Sequence, residues 1–179
     1  MLTFAGNGEP TTHPHFAGII DDTIALRDKY CPCAKVSVLS NATFAHRDDV
    51  RRALMKVDNN IQKLDTVDMA YISRIDRPAQ PSYDVGKIID SLKAFNGHVI
   101  VQTMFMKGVL ADGFSVDNTA DEYVQPWLEA IKDICPSEVM IYTIDRETPD
   151  KHLKKASHEI LDAIRDRVLA EGIKCTASY

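Results

Sequence analysis

Six short apolar, β-rich segments recur along the chain at residues 2–5, 36–39, 61–64, 99–105, 139–144 and 173–177, with helix-like patterns between them. No other feature constrains the fold as strongly. Several are continuous apolar runs rather than alternating ones, the pattern of strands covered on both faces by helices. Strands joined by helical crossovers pair in parallel, because each crossover brings the chain back to the same edge. The expectation is an α/β domain: an incomplete (β/α) barrel with a mostly parallel sheet of about six strands. Right-handed crossovers would then place all strand carboxyl ends on one rim. A doubly wound open sheet has the same local pattern and is the alternative at this stage.

The helical signals are uneven. Ile19, Ile20, Ile24 and Leu26 make an apolar stripe after His13-Pro14, and Val50, Ala53, Leu54 and Val57 make a shorter one. Ser82 suits the N-cap of a third helix that buries Val85, Ile88, Ile89, Leu92 and Phe95. Thr119 and Glu122 have capping-box spacing ahead of Val124, Trp127, Leu128 and Ile131, with Pro126 marking a kink or a first turn. Thr148-Pro149 reads as N-cap and first residue of a fifth helix, with Leu153, Ala156, Ile160, Ile164 and Val168 on its packed face and Gly172 as its stop. Residues 69–81 and 107–118 are the connections richest in polar and aromatic side chains, and are the expected rim loops.

A chain of 179 residues with 45% hydrophobic and 26% charged residues fits one globular domain. Its net charge of -5 disfavours broad attraction to nucleic acid or an anionic membrane. No apolar run is long enough for a membrane span, and no signal peptide is visible, so a cytoplasmic protein is expected. The four cysteines, at 31, 33, 135 and 175, match neither zinc-site spacing nor a disulfide scaffold, and reduced thiols are the expectation.

The residues just beyond each segment carry the chemistry. Gly6, Asn7, Gly8 and Glu9 follow the first; Ser40 and Asn41 the second; Lys63 and Asp65 end the third; Gln102 and Lys107 belong to the fourth; Thr143, Asp145 and Arg146 to the fifth. Glycines allow a tight turn that leaves the Glu9 carboxylate accessible to an ammonium group. Ser40 and Asn41 offer neutral donors, and Asp65 can accept from a ribose hydroxyl or neutralise Lys63. Structural roles compete for the same residues: Glu9 as a turn partner, Asn41 as a helix cap, Lys63 with Asp65 as a salt-linked strand end, and His13 and His15 as turn contacts. Met104, Met106, Tyr71, Arg74 and Arg77 can shape a pocket, with barrel filling as the plainer role of the methionines.

Taken together, TFAGNGEPTTHPHF, VSVLSNAT, IQKLDT, VQTMFMKG and YTIDRETP resemble the strand-end motifs of the radical S-adenosylmethionine superfamily. The branch is that of iron-sulfur oxidoreductases similar to pyruvate formate-lyase activating and wyosine-synthesis enzymes, and the resemblance covers nearly all of residues 2–179. It implies a partial (β/α) barrel. It also implies that Gly6, Gly8 and Glu9 meet the methionyl amino group of S-adenosylmethionine, that Ser40 and Asn41 meet its methionine or ribose portions, and that Asp65 meets the ribose. Arg146 is implied for the methionyl carboxylate or the substrate. The complete protein would use a [4Fe-4S] cluster and an electron donor to cleave S-adenosylmethionine to methionine and a 5'-deoxyadenosyl radical, which removes hydrogen from an unidentified substrate.

The departure from the family is the cluster motif. Only five residues precede Gly6, and no CxxxCxxC occurs anywhere. The expectation is therefore a partial domain without the first strand and cluster loop, which holds no cluster and, by itself, is inactive. No residue is assigned as a metal ligand. An uncovered first strand would favour self-association. Two other readings stand beside this one: a metal-independent (β/α) enzyme acting through Lys63, Asp65 or Glu9, and a noncatalytic nucleoside-binding or assembly domain.

Overall fold

The computed structural model describes residues 1–6, 8–79, 82–145, 148 and 151–179. Its strands are β1 (Leu2–Phe4), β2 (Val36–Ser40), β3 (Asn59–Lys63), β4 (Ile100–Met104), β5 (Met106–Gly108), β6 (Glu138–Tyr142), β7 (Leu153–Lys155) and β8 (Cys175–Ser178). The helices are α1 (Phe16–Tyr30), α2 (Asp48–Leu54), α3 (Met69–Ile75), α4 (Val85–Lys93), α5 (Asp121–Ile134) and α6 (His158–Ala170). Six strands form one sheet in the order β1-β2-β3-β4-β6-β8, every neighbouring pair parallel.

That order decides between the two architectures. It climbs without reversal, so right-handed crossovers all fall on one side of the sheet, as in a barrel; a doubly wound sheet needs a switch point, and none is present. No pairing joins β1 to β8, so the barrel is open, with β1 at one edge and its Leu2 39% exposed.

Burial follows the same logic. In β3, β4 and β6, buried residues alternate with half-buried ones. Val101, Thr103, Val139 and Ile141 face the helices, while Lys63, Met104 and Tyr142 lie on the concave side. Helices on both faces were expected from the continuous apolar runs. Among the described residues the buried positions of β3, β4 and β6 meet helices on one face, while the concave face carries side chains of its own, which also favours apolar residues at successive positions.

Several local expectations shift for identifiable reasons. The expected rim loop from residue 69 opens with α3, because the Asp68 carboxylate accepts from Tyr71 N at 2.6 Å and caps it. Asp84, not Ser82, caps α4 through Gly86 N at 2.9 Å. The capping box at Thr119 is not formed, since its hydroxyl donates to Asp117 and Ala120 occupies the N-cap. Pro126 sits inside α5 rather than at its start. Ser157 caps α6, and residues expected in that helix's first turns form β7, antiparallel to β5. Leu26 is 56% exposed, so the α1 stripe is narrower than its sequence pattern. Trp127 anchors the core: it is buried, its ring stands edge-on to Phe105 at 5.2 Å, and its Nε1 donates to the Leu64 carbonyl and Thr103 Oγ1.

Candidate functional site

A cavity of about 710 Å³ opens at the carboxyl ends of β2, β3, β4 and β6. Its floor is the last concave-side residue of three adjacent strands, Lys63, Met104 and Tyr142. One wall is α3 with the residues after it, Ile72, Ile75, Asp76 and Pro78; the other includes Met106 and Leu153 from the β5–β7 ribbon. The ribbon needs a glycine at 108, where φ is +139° and a Cβ would lie 2.1 Å from the His152 carbonyl oxygen. Of the two expected rim loops, 69–81 lines the cavity through Ile72, Ile75, Asp76 and Pro78, whereas 107–118 has no residue on its lining and supports it by pairing β5 with β7.

Asp65 is held at both carboxylate oxygens. One carboxylate oxygen accepts from Met104 N at 2.8 Å, and the other lies 3.0 Å from Lys63 Nζ. Asn118, buried at the end of the 107–118 connection, locks the same corner: its Nδ2 donates to the carbonyls of Met104 (2.9 Å) and Asp65 (3.3 Å), and its Oδ1 accepts from Met106 N (2.8 Å). Burial pushes the Asp65 carboxyl above its usual range, against the pull of Lys63 and the Met104 amide. Burial acts to lower the Lys63 ammonium, but Asp65 and then Tyr142 outweigh it, and Lys63 is held more firmly protonated than a free lysine. Asp76 is exposed at the cavity mouth, yet the protein packed around its carboxyl group, then the like charge of Asp65, raises it to about 6. Tyr83, also on the cavity, is pushed up to about 12 by burial and the two aspartates.

On the β1 side, Glu9 joins two strand ends. Its Oε1 accepts from Thr11 N (3.0 Å) and Thr11 Oγ1 (2.6 Å), capping the short 3-10 turn Pro10–Thr12, and its Oε2 accepts from Asn41 N (2.6 Å). Ser40 Oγ accepts from Ala42 N at 3.1 Å, and Asn41 Oδ1 from Thr43 N at 3.0 Å. Asn41 therefore caps its own turn, not a helix. Gly6 and Gly8 have φ of +141° and +154°, and Gly8 N donates to the Gly6 carbonyl at 2.8 Å. Among the residues implied for S-adenosylmethionine, Asn41 and Asp65 line the cavity. Ser40 and Glu9 adjoin it through Asn41, and Gly6 and Gly8 are exposed beyond them. Arg146 lies outside the described residues. His13 Nδ1 accepts from His15 N at 3.1 Å, a turn contact.

The thiols lie at the opposite end. Cys31 and Cys135 follow the last residues of α1 and α5, Cys33 precedes β2, and Cys175 opens β8, all at the amino-terminal edge of the sheet. Burial pushes the Cys175 thiol up to about 12. Among the described residues no three His, Cys, Asp or Glu side chains are placed to share a metal ion. A [4Fe-4S] cluster therefore does not fit this chain's own cysteines. No helix among the described residues is long and apolar enough to cross a membrane.

Asp76 and Asn118 were not singled out by sequence reasoning. Asp76 follows a helix hidden in an expected loop; Asn118 ends the other expected loop, where an amide can bond several backbone groups.

Solved structures share this architecture. A domain of pyruvate-formate lyase-activating enzyme from Bacteroides vulgatus superposes with a TM-score of 0.68 at 15% identity, over 99% of this chain and 98% of that one. A radical SAM methyltransferase from Sphaerobacter thermophilus gives 0.70 at 16% identity, over 99% of this chain and 50% of that one. The fold is that of the radical S-adenosylmethionine enzymes. TYW1 with a lysine-pyruvate adduct bound gives 0.67 at 15% identity, over 93% of this chain and 48% of that one. By sequence, a UPF0026 protein of Helicobacter pylori is 28% identical over 165 residues, 90% of this chain and 49% of its own length. One of Methanocaldococcus jannaschii is 26% identical over 167 residues, 91% and 47%. The chain spans about half the length of these curated relatives. No protein-family model matches it.

Proposed function

We propose that this rim binds S-adenosylmethionine and presents it to a second molecule in the cavity, as part of a radical S-adenosylmethionine enzyme. The [4Fe-4S] cluster of the complete enzyme would be held by thiolates other than the four cysteines here. The observation that carries the reading is the position of the cavity: it opens at the strand carboxyl ends of a fold shared with such enzymes, and Asn41 and Asp65 stand on its wall.

The residues supply binding and orientation. Glu9 already accepts three hydrogen bonds, which leaves about one of a carboxylate's four lone-pair sites for a ligand ammonium. The Ser40 hydroxyl accepts from Ala42 N and keeps its proton for a ligand oxygen. The Asn41 amide nitrogen is likewise left as a donor, since its oxygen serves Thr43 N. Asp65, fixed by Met104 and Lys63, keeps a lone pair for a hydroxyl. S-adenosylmethionine supplies the 5'-deoxyadenosyl group; its reduction belongs to the cluster.

Equilibrium dialysis with the 179-residue chain tests the reading. Millimolar dissociation constants, equivalent to about -4 kcal/mol, are expected when the iron attachment is absent. Asn41→Ala should weaken S-adenosylmethionine and leave unfolding cooperative. Equal retention by both chains, or none by either, defeats the assignment. The structural occupation of Glu9 favours one alternative, a noncatalytic nucleoside-binding domain; adenosine would then bind as tightly as S-adenosylmethionine.

A further inference from the structure

We infer that Asp76 recognises a protonated amine on an otherwise apolar molecule held in this cavity. The inference rests on the reading of the cavity as a ligand site, and it names the chemistry of the second molecule.

Among the described residues the charges in the cavity do not balance. Lys63 and Asp65, 3.0 Å apart, neutralise each other. Asp145 is largely in solvent and lies 3.8 Å from Lys155. Asp76 stands at the mouth of the same cavity and is exposed as Asp145 is, but unlike Asp145 its carboxylate has no hydrogen bond or ion pair among the described residues. Two arginines flank it in sequence, yet both are engaged elsewhere. Arg74 pairs with Asp112 and lies over the Phe114 ring at 5.8 Å, while Arg77 Nε donates to the Arg74 carbonyl at 3.1 Å.

The placement of Asp76 also runs against local preference. It is the residue at the carboxyl end of α3, where the helix's unpaired carbonyls disfavour a carboxylate and favour a cation. The next residue, Arg77, holds a left-handed φ of 47° without being glycine. A local rule broken beside a cavity is the pattern of a functional position. Beyond the charged groups and neutral polar residues such as Asn41, Thr43, Thr66 and Thr143, the walls are apolar: Ile72, Ile75, Met104, Met106, Ile144 and Leu153. Such walls accept a hydrocarbon or aromatic body, and the lone carboxylate sets the sign of its polar end.

The titrating groups that face Asp76 are Asp65 and Lys63 from β3, Tyr71 from α3 and Tyr83 ahead of α4, with Tyr142 and Asp145 on the β6 side of the cavity. Only Lys63 among them is cationic, and Asp65 already holds it. An alkylammonium stays charged throughout the range in which Asp76, raised to about 6, changes state. Affinity for an amine should therefore rise about tenfold from pH 5 to pH 7 as Asp76 ionises.

The matched probes are 2-phenylethylamine and 2-phenylethanol, titrated by nuclear magnetic resonance into the chain at pH 5 and pH 7, without S-adenosylmethionine. The expected result is a saturable preference for the amine at pH 7, about tenfold weaker amine binding at pH 5, and no change for the alcohol. Asp76→Asn should erase the preference and Asp76→Glu restore it. Equal binding of both probes by the unmodified chain, an amine preference surviving in Asp76→Asn, or no saturable amine binding at millimolar concentration overturns the inference. A separate S-adenosylmethionine titration keeps the two readings apart. Amine preference without S-adenosylmethionine binding removes only the proposed function, and the reverse removes only the role of Asp76.

Discussion

Replacing Glu9 by alanine deletes three hydrogen bonds at once, those from Thr11 N, Thr11 Oγ1 and Asn41 N. The cap of the Pro10–Thr12 turn is worth about 1 kcal/mol by analogy with helix N-caps. The charge-assisted bond from Asn41 N adds about 1–2 kcal/mol, with solvent access to a half-buried group keeping it toward the lower figure. Together they give a loss of about 2–3 kcal/mol in the ligand-free chain, because among the described residues this carboxylate supplies the side-chain hydrogen bond that joins the loops after β1 and β2. For a domain of this size that corresponds to a fall in melting temperature of roughly 5–10 °C. Glu9→Gln should lose less, about 1–2 kcal/mol: its carbonyl oxygen keeps one partner while its amide turns a donor toward a backbone N–H. Urea unfolding of both variants, read at an unchanged m-value, checks the ordering. If Glu9→Ala unfolds within about 0.5 kcal/mol of the parent, the carboxylate does not fasten these loops and its bonds are exchanged freely with water.

Lys63→Met leaves Asp65, with a side chain only 6% exposed, without its counter-charge; a loss of about 2–4 kcal/mol is expected in urea unfolding, shrinking as pH is lowered because protonation of Asp65, which burial favours, relieves it. Asp76 holds its proton to about 6 in the folded chain, against the lower value of an unfolded carboxylate, so it makes stability fall as pH rises from about 4 to 6; Asp76→Asn should remove that part of the pH dependence, and an unchanged profile contradicts it. Gly108→Ala drives a Cβ against the His152 backbone and should cost more than about 2 kcal/mol, with amide exchange accelerated in β5 and β7 and not in β1 or β2.

The parallel sheet was legible because each strand is a compact apolar run separated by a helix-length interval, and the approximate positions of all six main strands follow from that alone. The direction of winding was not, since burial alternation in β3, β4 and β6 is masked by apolar residues on the concave face such as Ile61, Ile100 and Met140. The β5–β7 ribbon escaped because Leu153 and Ala156 keep helical spacing with Ile160 and Ile164, and only the Ser157 cap separates the two elements. In the site, Lys63 with Asp65 could be read from adjacency. Glu9 could be read as a turn partner, but its reach to Asn41 N, 32 positions away, could not. Asp76 carries no motif; its meaning comes from two neighbouring arginines that turn to other partners.

The most direct test of the central claim is an amide chemical-shift titration of the folded 179-residue chain with S-adenosylmethionine to millimolar concentration. Saturable shifts gathered at Gly6, Gly8, Glu9, Ser40, Asn41 and the Lys63–Asp65 corner are the expected result, weakened by Asn41→Ala. Shifts confined to the opposite edge around Cys31, Cys135 and Cys175, or no saturable shift in a chain whose unfolding stays cooperative, would contradict it.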